Sequence, residues 1–208
     1  TFTFFNVCIS VNLLFPQEAE HISMSVNSEF EEREPIPSAD GKTLYFWRRD
    51  TPFNTGGTKD PGDIWMSTML SNGTFTRAIN MNRPTNSNGH DFVWQVSPYH
   101  DTLWVNQTPA GSDAAVPAYS IKNRQGEWRK PRPLRIQGFE YKGNYKDYFM
   151  TPQRVILLPN EGNDTYGGSD IYVCFPTNDT SWSKPVNIVP TINSFGDDDA
   201  PYLKEVIV

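Results

Sequence analysis

The chain has 208 residues, a net charge of −6 and 13% aromatic residues, with 17 prolines and 14 glycines. That length can bury one sizeable core. The acidic balance argues against nucleic acid as a partner: the densest basic stretch, Arg124 to Arg135, is broken by Glu127, Trp128, Leu134 and two prolines, where phosphate binding needs a basic stripe.

In chain order, Phe2 to Phe15 reads FTFFNVCISVNLLF and is followed by Pro16-Gln17-Glu18-Ala19. Residues 1–20 therefore read either as the apolar region and cleavage neighbourhood of a secretory signal peptide or as one or two edge strands. No apolar run reaches the roughly 18 to 20 residues of a membrane-spanning helix. Nowhere is an apolar period of 3.6 sustained, so long amphipathic helices are not expected.

From residue 26 onward the sequence repeats itself. Asn27-Ser28-Glu29-Phe30-Glu31-Glu32-Arg33-Glu34-Pro35 matches Asn193-Ser194-Phe195-Gly196-Asp197-Asp198-Asp199-Ala200-Pro201 in its Asn-Ser, its acids and its proline. A third copy begins Asn86-Ser87-Asn88-Gly89-His90-Asp91, and a weaker one is Lys142-Gly143-Asn144-Tyr145-Lys146-Asp147. The acids Glu32, Asp91, Asp147 and Asp198 are spaced by 59, 56 and 51 residues. A period of this size points to an array of supersecondary units.

Each interval carries the same ordered features. A turn between apolar strands comes first: Ser38-Ala39-Asp40-Gly41-Lys42-Thr43 before Leu44-Tyr45-Phe46, Ser97 to Thr102 before Leu103-Trp104-Val105, and Thr151-Pro152-Gln153-Arg154 before Val155 to Leu158. Asp-Gly is the strongest short hairpin signal. A third strand follows, Asp63-Ile64-Trp65-Met66 in the first repeat and Asp170-Ile171-Tyr172-Val173 in the third. The second repeat has only Pro117-Ala118-Tyr119-Ser120-Ile121 there. A fourth strand is expected to start at an aromatic after a polar turn: Phe75, Trp128 and Trp182.

Four short strands per repeat, in radial repetition, make a propeller blade. The motif set Asn-Ser-x-x-acid-acid-x-x-Pro, Ser-x-Asp-Gly-Lys-Thr-Leu-Tyr-Phe, Gly-Gly-Ser-Asp-Ile-Tyr-Val and Trp-x-x-Pro-x-Asn resembles the WD40-like, TolB-type β-propeller repeats. The resemblance covers residues 26–208 and is weakest in the second repeat, where Pro98-Tyr99-His100-Asp101 replaces the Asp-Gly turn. It implies an all-β propeller located in the periplasm, at the outer membrane or outside a bacterial cell, and it implies no reaction. Blades are expected at about 26–85, 86–137 and 138–190, with the start of a fourth at 191–208, as in part of a larger propeller. The alternative is a four-bladed ring in which Thr1 to Phe15 supply two missing strands.

Of the chemistry-bearing residues, Glu32, Asp91, Asp147 and Asp198 stand out. Each precedes the innermost strand of its repeat, so together they would ring one axial mouth, either capping turns or binding a ligand. No pair of acids is singled out for general acid and base work. Asp197-Asp198-Asp199 lacks the spacing of a calcium loop. His21, His90 and His100 lack the spacing of a zinc hydrolase. Cys8 and Cys174 form no metal pattern; Cys174 reads as a buried thiol, with a Cys8–Cys174 disulfide as the alternative. Trp128 and Trp182, at one repeat position, read as packing between repeats. The expectation is a non-enzymatic scaffold, without cofactor or metal, that binds a protein or glycan partner through loops on one face. The competing reading is the propeller portion of a glycoside hydrolase-like enzyme.

Overall fold

The structure is a computed structural model that describes residues 22–108, 115–140, 147–188 and 190–203. The signal-peptide or edge-strand segment 1–20, Cys8 and His21 lie outside these residues, as does the C-terminal stretch 204–208.

The described chain is all-β. The first sheet is a meander of β1 (Glu31–Pro37), β2 (Thr43–Arg49), β3 (Asp63–Thr68) and β4 (Ile79–Asn80). The second repeats the pattern with β5 (Phe92–Val96), β6 (Thr102–Gln107), β7 (Val116–Ile121) and β8 (Arg132–Pro133). After β9 (Arg135–Ile136), the third sheet contains β10 (Phe149–Met150), β11 (Ile156–Asn160), β12 (Asp170–Cys174) and β15 (Val186–Asn187). Between β12 and β15 lie β13 (Pro176–Asn178) and β14 (Ser181–Trp182), which pair with each other, and β14 also pairs parallel to β9. All three four-stranded sheets are antiparallel throughout. Among the described residues no closed barrel or ring is formed.

The turn between the first two strands is built the same way in each sheet. The N–H groups of Gly41, His100 and Arg154 donate to the carbonyls of Ser38, Ser97 and Thr151 at 2.8, 2.9 and 2.8 Å. All three residues sit in left-handed backbone, with φ of 69°, 55° and 64°. Only glycine adopts this region without steric cost, so His100 and Arg154 hold it through their side chains. Arg154 donates to the carbonyls of Asn178 and Asp179 at 3.2 and 2.8 Å. His100 Nε2 shares a 2.7 Å hydrogen bond with the Tyr45 hydroxyl of the first sheet. His100→Ala, which loses that bond and keeps the strained backbone, is expected to cost about 1–2 kcal/mol. His100→Gly should recover about 1 kcal/mol of that by relaxing φ. Urea unfolding of the two variants checks the difference, and equal midpoints would show that the turn stores no strain.

The aromatic at the start of the expected fourth strand is placed differently from the reading above. Phe75 and Trp128 make only isolated bridges, to Met69 and Lys122, and Trp182 belongs to the small hairpin. The strands that complete the sheets, β4, β8 and β15, begin four residues beyond these aromatics. In the second and third repeats Pro131 and Pro185 fall between, and proline has no N–H to extend a ladder.

The sheets stack through two apolar clusters. Tyr45 and Ile64 of the first sheet pack with Val93, Leu103, Val105 and Ala118 of the second. Phe92 and Trp94 of the second pack with Met150, Ile156, Leu158, Tyr172 and Cys174 of the third. Residues Thr43 to Arg48 of β2 are buried without alternation, the mark of a strand covered on both faces. Trp128 and Trp182 join the two clusters respectively. Cys174 is a buried free thiol, and burial pushes its pKa up to about 12. A polar link joins the second and third sheets: the Gln95 carboxamide donates to Met150 O and accepts from Met150 N, both at 3.0 Å.

Candidate functional site

Three of the four repeat acids make the same local structure. Ser87 donates its N–H (2.6 Å) and hydroxyl (2.8 Å) to Asp91, and its oxygen accepts from Gly89 N–H at 3.0 Å. Ser194 does the same for Asp198, at 2.6 and 3.1 Å, with Gly196 N–H donating at 3.1 Å. Ser28 does so for Glu32, with Phe30 N–H donating to the serine oxygen. A serine four residues before an acid thus closes a small side-chain turn. Glu32 lies in β1 and also forms a 2.7 Å ion pair with the largely buried Arg48, whose guanidinium covers the Trp65 ring at 4.3 Å. Asp91 immediately precedes β5, and its N–H donates to Gly62 O at 3.0 Å. In the last copy Asp198 N–H donates to Ser169 O at 2.7 Å. Asp147 lies two residues before β10; burial and the neighbouring Asp199 raise its pKa. No strand is assigned after Asp198 among the described residues.

Asp91 is fully buried, and its pKa is pushed up to about 7, chiefly by desolvation against the opposing pull of its Ser87 bonds, with Asp63 and Asp60 adding to the rise. A raised carboxyl pKa is often a sign of acid catalysis. Here the group has no access to a substrate, and both oxygens are spent on Ser87.

A second framework element connects the Asp91 and Asp198 turns to the sheet before each. In the first repeat Asp63 accepts from Thr55 N–H (2.6 Å), the Thr55 hydroxyl (2.8 Å) and Asn80 Nδ2 (2.6 Å). Asn86 then clamps the backbone of Ile64, accepting from its N–H and donating to its carbonyl, both at 3.0 Å, and donates to Asn80 Oδ1 at 2.9 Å. The third repeat rebuilds this: Asp170 accepts from Tyr166 N–H and Asn187 Nδ2 at 2.7 and 2.6 Å. Asn193 clamps Ile171 at 2.9 and 3.0 Å and donates to Asn187 at 2.9 Å. Asn86 and Asn193 are both buried, and in both copies Oδ1 of the aspartate is buried with no hydrogen-bond partner. In the second repeat the strand pairing puts Val116 and Pro133 where Asp63 and Asn80 stand. The polar framework is therefore missing there.

Asn86 and Asn193 belong to the Asn-Ser of the repeat and Asn187 ends Trp-x-x-Pro-x-Asn, while Asn80 stands at the same distance from Phe75 without the Trp or the Pro; none of these motifs shows the clamp. The recurring spacing, Asp63-Asn80-Asn86 against Asp170-Asn187-Asn193, is the signal that would have found it.

Two grooves open at equivalent places of the first and third sheets. Phe46 pairs with Trp65 and Leu158 with Tyr172 across the second and third strands, and Trp65 and Tyr172 pair onward with Asn80 and Asn187. The first groove, about 1080 Å³, has Asn27, Arg48, Phe53, Trp65 and Arg77 in its lining. The other, about 600 Å³, has Phe139, Glu140, Asn160, Asp164, Tyr172 and Lys184. Ala118 takes the aromatic's place in the second repeat. Sequence reading missed both grooves. Among the described residues no group of three or more acidic, histidine or cysteine side chains could hold a metal ion, and no helix is long and apolar enough to cross a membrane. No family model matches the sequence, and no curated protein matches it either.

Proposed function

We propose that the three sheets are blades of a β-propeller that serves as a non-enzymatic scaffold, binding a protein or glycan partner through its loops in the bacterial periplasm, at the outer membrane or outside the cell. The observation that carries this reading is a division of labour between repeat positions. Framework acids are consumed by the chain's own turns, while loop positions between them vary in chemistry. Thr55 and Asn88 of the first repeat are replaced in the third by Tyr166 and Phe195, two exposed rings stacked with centroids 4.5 Å apart. Nothing in the framework requires that exchange, and an exposed aromatic pair on a rigid loop is the usual material of a binding face. Stacking of successive four-stranded sheets through apolar clusters supports the propeller arrangement.

The purified chain is expected to hydrolyse none of a panel of aryl glycosides above the buffer rate, and Asp91→Asn and Asp198→Asn should alter only the unfolding midpoint. Turnover that disappears in either variant while it stays folded would establish the glycosidase alternative instead. An experimental structure in which the three sheets pair off as a sandwich would remove the propeller.

A further inference from the structure

The two equivalent grooves differ in a way their shared framework does not explain. In the first, the buried Trp65 and the exposed Phe53 line the groove and Arg48 is already ion-paired to Glu32. In the third, Arg48 is replaced by Asn160, Trp65 by Tyr172 and Phe53 by Asp164, so a largely apolar groove becomes one rich in hydrogen-bonding groups.

That polar set is held in place by the chain itself. The Tyr172 hydroxyl donates to Asp164 Oδ1 at 2.7 Å, and Asn187 Nδ2 donates to the Asp164 carbonyl at 3.0 Å. Thr165 Oγ1 closes the same loop on Gly162 O at 3.1 Å. A Cβ on Gly162 would come within 2.3 Å of the Tyr172 hydroxyl oxygen, so glycine is what lets the hydroxyl lie against the loop. Asp164 is thus oriented before any ligand arrives, which lowers the entropic cost of binding.

The lining selects the ligand class by exclusion and by fit. Glu140 and Asp164 oppose an anion, and the absence of a three-ligand cluster among the described residues gives a metal no site. Lys184, a donor only, stands among acceptors. Phe139 adds an apolar ring. Donors, acceptors and one aromatic face around a space of about 600 Å³ match a ligand with many hydroxyls and an apolar C–H face. We propose that this groove binds a saccharide, with Asp164 accepting from ring hydroxyls, Lys184 donating to them and Phe139 stacking on the C–H face of the ring. The proposal rests on the reading of the chain as a binding scaffold and names one ligand class for it.

The test is a titration of the ¹⁵N-labelled chain with cellotetraose, mannotetraose and chitotetraose. At least one should give saturable shifts in the amides of Gly162, Asn163, Asp164 and Tyr172. Lys184→Ala, an exposed position, should weaken that binding about tenfold while leaving the rest of the spectrum unchanged, a loss of about 1.4 kcal/mol. Asp164→Asn should weaken it as well. No saturable shift with any of the three sugars, or shifts indifferent to both substitutions, would overturn the proposal. Either result leaves the scaffold reading standing, because that reading falls on glycoside turnover or on a sandwich arrangement of the sheets.

Discussion

Asp63→Ala is expected to destabilise the chain by roughly 3 kcal/mol or more, while Asp63→Asn should cost only about 1 kcal/mol. The alanine leaves three donors without their acceptor, Thr55 N–H, the Thr55 hydroxyl and Asn80 Nδ2, at a fully buried site. A buried donor that loses its partner costs the full desolvation penalty of the group. The asparagine keeps one acceptor oxygen for these donors and removes a buried charge. Its amide would stand where Oδ1 has no partner at present. Asp170→Ala and Asp170→Asn should separate in the same order, since Tyr166 N–H and Asn187 Nδ2 depend on that carboxylate. Urea unfolding midpoints of the four variants give the comparison. If alanine and asparagine prove equivalent at either position, the hydrogen bonds contribute nothing beyond packing.

Stability should also fall as pH rises through the window set by Asp91. Its pKa is about 7 in the folded chain against about 3.9 for an unperturbed aspartate. Below about pH 4 the group is protonated whether the chain is folded or not, and the stabilisation relative to the ionised state is fully present. Between about 4 and 7 the folded state holds a proton that the unfolded state has lost, so each pH unit removes up to about 1.4 kcal/mol. Above about 7 both states are ionised and the loss is complete, a few kcal/mol in all. Asp91→Asn should flatten this slope while keeping an acceptor for Ser87 N–H. Asp40 and Asp101 act in the opposite sense: hydrogen bonds from Ser38 and Ser97, respectively, hold their pKa values down, so their contribution is lost only as pH falls below the usual carboxylate range. Chemical unfolding of wild type and Asp91→Asn at pH 5 and pH 8 isolates the Asp91 window, and a parallel dependence in the two proteins would refute the assignment.

The order of the strands was readable because each is bounded by turn chemistry and because the pattern recurs. Even the second repeat, with Pro98 to Asp101 in place of Asp-Gly, forms the same turn, as His100 is forced into the conformation that Gly41 adopts freely. The fourth strands were misplaced because an aromatic anchor and a paired strand leave similar traces in sequence. Phe75, Trp128 and Trp182 are packing residues, and the ladder resumes four residues later. The acids Glu32, Asp91 and Asp198 could be found from spacing, but whether they faced a ligand or their own turn could not, since both uses need an acid at the same place. The groove over Tyr172 left no trace. Its lining comes from Phe139 to Lys184, and its character depends on substitutions in otherwise equivalent repeats, which become visible only when Phe46 and Leu158 are known to occupy matching register.

Hydrophobic contact between sheets has no preferred direction, so the clusters that join them would tolerate sliding or swivelling of one sheet on the next. The Gln95 carboxamide does not. By taking both the N–H and the carbonyl of Met150, it behaves as one residue of a neighbouring strand projected across the gap. It stands at the bulge where β5 shifts its register against β6. That irregularity, a defect when seen within its own sheet, works as an indexing pin between sheets. It holds β10 of the third sheet against β5 of the second at one register.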